Sequence, residues 1–565
     1  MPIRRSTTIA QLHSESMTGR PSARSTGAVA RYVLLPGVLA RPWLPLLILL
    51  GLTAITALAR PIIGGLDTPS LSAAWEMARD GNWMAEDGLA ATVPPLLPCL
   101  LVLAWSAFGV GLASAWVICA LGLAVGLLLT RRLATRLWPQ RADVGPLASW
   151  VFAGSAGILL LGPAIAPECI GLALTASGLY ALALIGDGKR RGWPLFSLSL
   201  GLLLLTTGSL GCTVLLLPAL FGPVWTQRSG APGWIMWYAA LAAAVAFALL
   251  PFLLWSSYLA VDSTAVITVR LAPSLLPLLA MSAVLYPWPY WPRFWRSVRR
   301  QSKILNDPGF RLCAIASVLP LIAFVAGGSG IRTLLLLGPA TTAVIARLLA
   351  GRLPGRADFP AGIPSLFLIP LALVPIAINT VPWAQLVVRA QQFLGTGKLP
   401  LWLASIGVGG TVVVLGGVFL LVQATPRLLL SRVAQVALLP LILAAAVTLE
   451  MTGELGRSFD LMPVAARISA LQSNGAPVAV LAIDPSTYAF AGRLKQPLTV
   501  LSTEQSALDW AHEHADGTVI APFHGSVLRL LRQPGFAAQQ GASWVAFWPA
   551  QTIMETGGAA LRERP

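Results

Sequence analysis

Apolar residues run in long unbroken stretches along this chain. Neither the short alternation of a half-buried strand nor the one-sided stripe of a soluble helix fits them. The stretches lie near 42–59, 112–130, 146–163, 167–186, 194–206, 210–226, 233–256, 272–290, 311–328, 332–350, 361–380, 399–423 and 430–448. A helix advances ~1.5 Å per residue, so about 20 apolar residues are needed to cross a hydrocarbon core ~30 Å thick. The pattern therefore predicts a polytopic membrane protein of about thirteen helical spans. The run 94–110 is left out of the count. It opens on Pro94-Pro95, is short and carries Trp105, which are the marks of a helix lying at the outer surface.

Past Leu449 the pattern changes to short apolar runs among charged residues. The segments 477–484, 497–502, 518–523 and 543–548 read as strands, and 506–515 as a helix between two of them. The chain accordingly divides into a disordered basic tail (1–41), a membrane domain (42–449) whose first external loop is 60–111, and a small soluble α/β domain (450–565).

Composition supports the class: 56% of residues are hydrophobic and only 11% charged. The net charge of +17 would suggest nucleic acid, but the position of the bases excludes it. They fall in alternate connections: the tail; Arg131, Arg132, Arg136 and Arg141; Lys189, Arg190 and Arg191; Arg228; the cluster from Arg293 to Lys303; Arg352 and Arg356; Arg427 and Arg432. Lys and Arg are retained on the cytoplasmic side of short loops, so these residues mark topology. That topology puts the N-terminus in the cytoplasm and the first loop and the C-terminal domain outside. The apolar run 42–59 lies too far in and is too long for a cleaved signal peptide. All five cysteines lie in apolar stretches and read as small buried hydrophobes.

Within the first loop the charge is inverted. Asp67, Glu76, Asp80, Glu86 and Asp87 face only Arg60 and Arg79. Asp67 sits in a Gly64-Gly65-Leu66-Asp67-Thr68-Pro69 turn, where Asp67 or Thr68 caps a following helix; the other reading is a general base at the membrane surface. Arg332 opens a span at the outer face, either snorkelling or holding a lipid phosphate through its paired donors. Glu168 is a third polar group on that side. His512 and His514 are two residues apart on a helix and so point to different faces, which argues against a shared metal. No phosphate-binding glycine loop, dinucleotide fingerprint or nucleophile elbow occurs. No cofactor is expected.

The stretch LDTPSLSAAWEMARDGNW followed by VPPLLPCLLVLAWSAFGVG is similar to the first external loop of the bacterial lipid-linked-sugar glycosyltransferases, which include lipid A aminoarabinose transferase and protein O-mannosyltransferases. Glu76-Met77, Gly81, Trp83, Pro94-Pro95 and Phe108-Gly109 match its pattern, as do TRRLA at 130–134, IRTLLLLGPATTAVIARLL, PVAVLAID and AGRLKQPLTVL. Val93 stands where the family has a lysine, and Thr207-Gly208 where it has Lys-Gly. The resemblance implies a GT-C-like bundle with an external α/β domain in a bacterial inner membrane. It implies sugar transfer from a polyprenyl-phosphate donor to a lipid, glycan or protein acceptor at the periplasmic face. Asp67 would be the base, and Arg332, Arg60, Arg270, Glu76 and Glu168 would form the substrate and phosphate set, with membrane lipids as further partners and no metal. The alternative is a non-catalytic relative that binds a lipid carrier or a partner protein in the same cavity. A transporter fits less well, because the ionisable groups sit at span ends, not at mid-membrane.

Overall fold

The computed structural model describes residues 37–81, 93–226, 233–258, 276–327, 330–351, 361–369, 408–424, 426, 428–523, 535–540, 543–558 and 561. Among these, seven helices are long and apolar enough to cross a membrane, and four shorter apolar helices accompany them. The chain is mostly helical, with one small sheet near its C-terminus.

The first apolar run forms α1 (Trp43–Ala59). The loop that follows holds α2 (Thr68–Asp80), closed by Gly81 in the left-handed region, and α3 (Leu96–Phe108). The 13 residues of α3 rise only ~20 Å, short of a crossing. Its Leu97, Leu101, Val102 and Trp105 are buried while Leu103 and Phe108 are exposed, so one stripe packs on the protein.

Next come α4 (Leu112–Leu137), α5 (Val144–Ala153), α6 (Ala156–Leu161), α7 (Glu168–Gly186), α8 (Gly192–Leu220) and α9 (Trp234–Tyr258). Helices α4 and α7 meet at Gly122, where an added Cβ would stand 2.6 Å from the Cys169 carbonyl oxygen. Small residues at such crossings bring backbones into dispersion contact where no hydrophobic drive separates helix from lipid. Gly208 interrupts α8 with φ 72° and ψ −170°, and beyond it the chain doubles back. Gly192 packs beside Ile185 at the far end of α7, Thr207 and Gly211 lie together beside Leu336, and Trp225 returns to Gly186. The expected runs 194–206 and 210–226 are thus the two limbs of one hairpin.

Later elements are α10 (Leu276–Val284), α11 (Pro292–Arg300), α12 (Pro308–Ala326), a 3-10 segment (Ile331–Leu337) leading into α13 (Gly338–Leu349), α14 (Val408–Gln423) and α15 (Leu429–Met451). The count of thirteen spans is not recovered. The run 146–163 is split at Gly154-Ser155, where the Ser155 hydroxyl accepts from Trp288 Nε1 at 3.1 Å and the Ala156 amide donates to the Tyr286 carbonyl. In the described part of the run 272–290, from Leu276 on, nine helical residues precede a turn. Most of 361–380 and the start of 399–423 lie outside the described residues.

The soluble domain is a five-stranded sheet in the order β2-β1-β3-β5-β4. Its strands are β1 (Val478–Leu481), β2 (Thr499–Leu501), β3 (Thr518–Phe523), β4 (Phe536–Gln540) and β5 (Ser543–Pro549). The first three run parallel, whereas β5 is antiparallel to both of its neighbours. Alternation sends Ala479, Leu481 and Val519 to a core with Trp510 and Trp548, and Val478, Val480 and Ile520 to a second core with Tyr488 and Phe547. The helix α16 (Met462–Ser473) covers the second face and α17 (Glu504–Glu513) the first.

Candidate functional site

The basic connections gather at one end of the bundle. Arg131 donates to the Ala40 carbonyl at 3.0 Å, Arg141 to Ala350 at 3.1 Å, and Arg293 to Gly351 at 3.2 Å. Arg136 pairs with Asp187 at 2.6 Å. Helix α7 reaches that end at Gly186 from its start at Glu168, and the candidate site lies at this opposite, Glu168 end.

Asp67 is fully buried. It occupies the N-cap position of α2, yet its side chain does not cap the helix. One oxygen accepts from Arg60 Nη2 at 2.6 Å and from the Ile165 amide at 2.8 Å; the other accepts from the Ile63 amide at 3.0 Å. The capping reading is therefore corrected: three donors from α1's end and the α6–α7 connection outbid the helix terminus. Thr68 does not take the cap either, since its hydroxyl accepts from the Gly65 amide at 3.0 Å within the turn. Arg60 also reaches the Pro163 carbonyl at 3.4 Å, and its guanidinium stands 5.0 Å over the Trp116 ring. Such a pair removes two charges from water, which is tolerable only because backbone donors saturate the carboxylate.

Arg332 closes the other side of the turn, with Nη1 donating to the Leu66 carbonyl at 2.9 Å and Nη2 to Gly65 at 3.3 Å. It is half-buried, and these bonds use two of a guanidinium's five donors. Glu168, three residues past Ile165, has a buried Oε2 without a hydrogen-bond partner among the described residues. Asp67, Arg60, Arg332 and Glu168 thus share one neighbourhood at the end of α1, α7 and the 3-10 segment. Glu76 stands apart, further along α2, where Arg79 approaches it at 3.9 Å. Arg79 also binds Asp80 at 2.6 Å, and that hydrogen bond holds the Asp80 carboxyl below the usual carboxylate range. Arg270, Trp83, Glu86 and Asp87 lie outside the described residues. No group of three His, Cys, Asp or Glu side chains fit to hold a metal occurs among the described residues.

The soluble domain is bolted to this loop. Ser72 donates to the Ser486 carbonyl at 2.6 Å and accepts from the Phe490 amide at 3.2 Å, while Trp75 Nε1 donates to the Leu494 carbonyl at 3.0 Å. Phe490 stacks on Trp105 with ring centroids 5.4 Å apart, and Arg493 lies 4.0 Å from the Phe490 ring and 5.1 Å from Trp75. Sequence reasoning missed Trp116, Ile165, Ser72 and Arg493. Trp75 and Trp116, aromatic groups beside an arginine-bearing loop, were the available signal for two of these contacts; the backbone amide of Ile165 left none.

Comparison with solved structures finds the same architecture. Over 94% of this chain and 99% of the other, the structure superposes on apo ArnT from Cupriavidus metallidurans with a TM-score of 0.61 at 17% identity. It superposes on the same organism's ArnT bound to undecaprenyl phosphate with a TM-score of 0.60 at 16% identity, covering 93% and 98% of the two chains. No protein-family model and no curated protein sequence matches. The likeness runs almost end to end in both chains, soluble domain included, so this chain has the GT-C fold of lipid A aminoarabinose transferase.

Proposed function

We propose that the protein is a membrane glycosyltransferase that moves a sugar from a polyprenyl-phosphate donor to a lipid, glycan or protein acceptor at the outer face of a bacterial inner membrane. The observation that carries the reading is the cluster of Arg60, Asp67 and Arg332 around one turn at a bundle end, in a fold whose Cupriavidus relative was crystallised with undecaprenyl phosphate. Arginine suits the donor phosphate because its paired N–H groups match two phosphate oxygens.

In the reaction the acceptor's oxygen or nitrogen attacks the anomeric carbon, and the bond from that carbon to the phosphate oxygen breaks. Polyprenyl phosphate leaves with the bonding electrons, and the acceptor's proton passes to Asp67. Arg60 is the hinge of this reading. In the resting structure it holds Asp67, and an arriving phosphate competes for the same guanidinium, which releases the carboxylate to act as base. Arg332 has donors to spare for that phosphate without leaving the turn. Arg270, Glu76 and Glu168 complete the proposed binding set.

The test offers purified protein a radiolabelled polyprenyl-phosphate sugar with total lipid extract as acceptor, beside Asp67→Asn and Arg332→Ala. Label should move to a new product with the native chain, stop with Asp67→Asn, and slow with Arg332→Ala through a raised KM. Retained transfer in Asp67→Asn removes the base role. A second reading, binding of the lipid carrier without transfer, is favoured by the full burial and triple engagement of Asp67. Donor binding without turnover, weakened by Arg332→Ala, selects it.

A further inference from the structure

An apolar groove lies far from the candidate site, on the lipid-facing side of α8 and α9. It has a volume of about 610 Å³ and walls that are almost wholly apolar. Its floor is the line where the two helices touch: the Ser197 hydroxyl donates to the Ala244 carbonyl at 2.8 Å, and an added Cβ on Gly201 would stand 2.8 Å from the Ala248 carbonyl oxygen. Leu198 and Phe247, which are 60% and 68% exposed, rise on either side. From Trp193 to Leu202 the groove runs ~14 Å along the helix, about half of a ~30 Å hydrocarbon core.

At the Trp193 end a second cavity of about 370 Å³ opens, lined by Gly188, Lys189, Arg190 and Met236 and sharing Trp193 and Ala240 with the groove. The two adjoin at Trp193 and Ala240, a cationic mouth beside an apolar body. Lys189 and Arg190 occupy the tight turn between α7 and α8, where Gly188 takes φ 78°. Neither forms an ion pair among the described residues; Asp187 beside them is taken by Arg136. The first turn of α8 begins at Gly192 without a side-chain cap, adding its amide dipoles to the positive field. Trp193, held edge-on to Trp237 at 5.3 Å and to Phe196 at 6.4 Å, stands at the junction, where an indole suits the border of headgroup and acyl chain.

We propose that this site binds one anionic phospholipid of the leaflet on the Lys189 side, the phosphate between Lys189 and Arg190 and an acyl chain in the groove between α8 and α9. The depth of one leaflet and the charge at only one end select a lipid over a helix from another protein, which would need apolar complementarity across the full bilayer. This site is at the opposite end of the bundle from Asp67 and takes a resident lipid, not a substrate.

The test is native mass spectrometry of the full chain in detergent, with equal amounts of phosphatidylglycerol and phosphatidylcholine. One phosphatidylglycerol should be retained, in about tenfold preference. Lys189→Gln with Arg190→Gln should abolish the preference, and Ala243→Phe, which fills the groove from an exposed position, should reduce retention of both lipids. Equal retention of the two lipids by the native chain overturns the proposal, and that comparison does not depend on any variant folding. An unchanged preference in the double variant overturns it too. So does binding of inorganic phosphate through these residues with lipid retention unaffected by either variant.

Discussion

The two ends of the bundle use charge in opposite ways. At the basic end arginines reach for separate helix-terminal or loop carbonyls: Arg131 to Ala40, Arg141 to Ala350, Arg432 to Pro426. Each of these cations meets the negative end of a peptide dipole and stays only half-buried, near water. At the other end Arg60, Asp67, the Ile63 and Ile165 amides and the turn held by Arg332 share atoms, and the carboxylate at their centre sees no solvent. A dispersed set of cations fixes which way a protein sits in its membrane. A shared, dehydrated set is what a chemical site requires.

That contrast can be broken by mutation. Arg60→Ala strands a buried carboxylate and should cost about 3–5 kcal/mol, read as a lower thermal midpoint in detergent. Adding Asp67→Asn should restore part of it, because the two changes remove one interaction. A loss below about 1 kcal/mol would mean that the pair is wet and the contrast false. Phe490→Ala, which empties the place of a side chain 2% exposed and stacked on Trp105, should cost about 3 kcal/mol and make the soluble domain more sensitive to protease. Arg332→Ala should cost about 1–2 kcal/mol by freeing the Gly65 and Leu66 carbonyls. At the basic end Arg141→Ala should cost about 1 kcal/mol or less, and its effect should add to that of Arg432→Ala within about 0.5 kcal/mol. Strong coupling between those two would show that this end is a network after all.

The smallest expected effect is that of Asp80. Its folded carboxyl titrates below the unfolded one, chiefly through the Arg79 hydrogen bond, so its stabilisation is present above the unfolded value of ~3.9 and is lost as pH falls below it. The group is mostly exposed, so Asp80→Asn should lower stability at pH 7 by only a few tenths of a kcal/mol and should make no difference near pH 2.

How far the sequence reached depended on whether a feature is written in hydropathy. The membrane class, the α/β domain and four of its strands were legible because apolar runs and alternation report burial directly. The strand β4, FAAQQ, was not: at the sheet's edge it needs only backbone pairing with β5, and its side chains carry no period. The broken run at Gly154-Ser155 was invisible for a related reason, since both halves are equally apolar and the break is made by Trp288 and Tyr286 from elsewhere in the chain. Asp67 and Arg332 stood out as charges in an apolar chain. Their partners are mostly main-chain atoms, which every residue has and no sequence can mark.

The bolt between α2 and the soluble domain also bears on how the protein is made. Ser72 and Ser486 are 414 positions apart, so the loop leaves the ribosome long before the segment that clasps it. The first loop must wait, its Trp75 and Ser72 unmatched, until the final fifth of the chain has been made and folded. A nascent chain stalled before that point would have its helices, yet the loop around α2 would still lack the wall that packs against it.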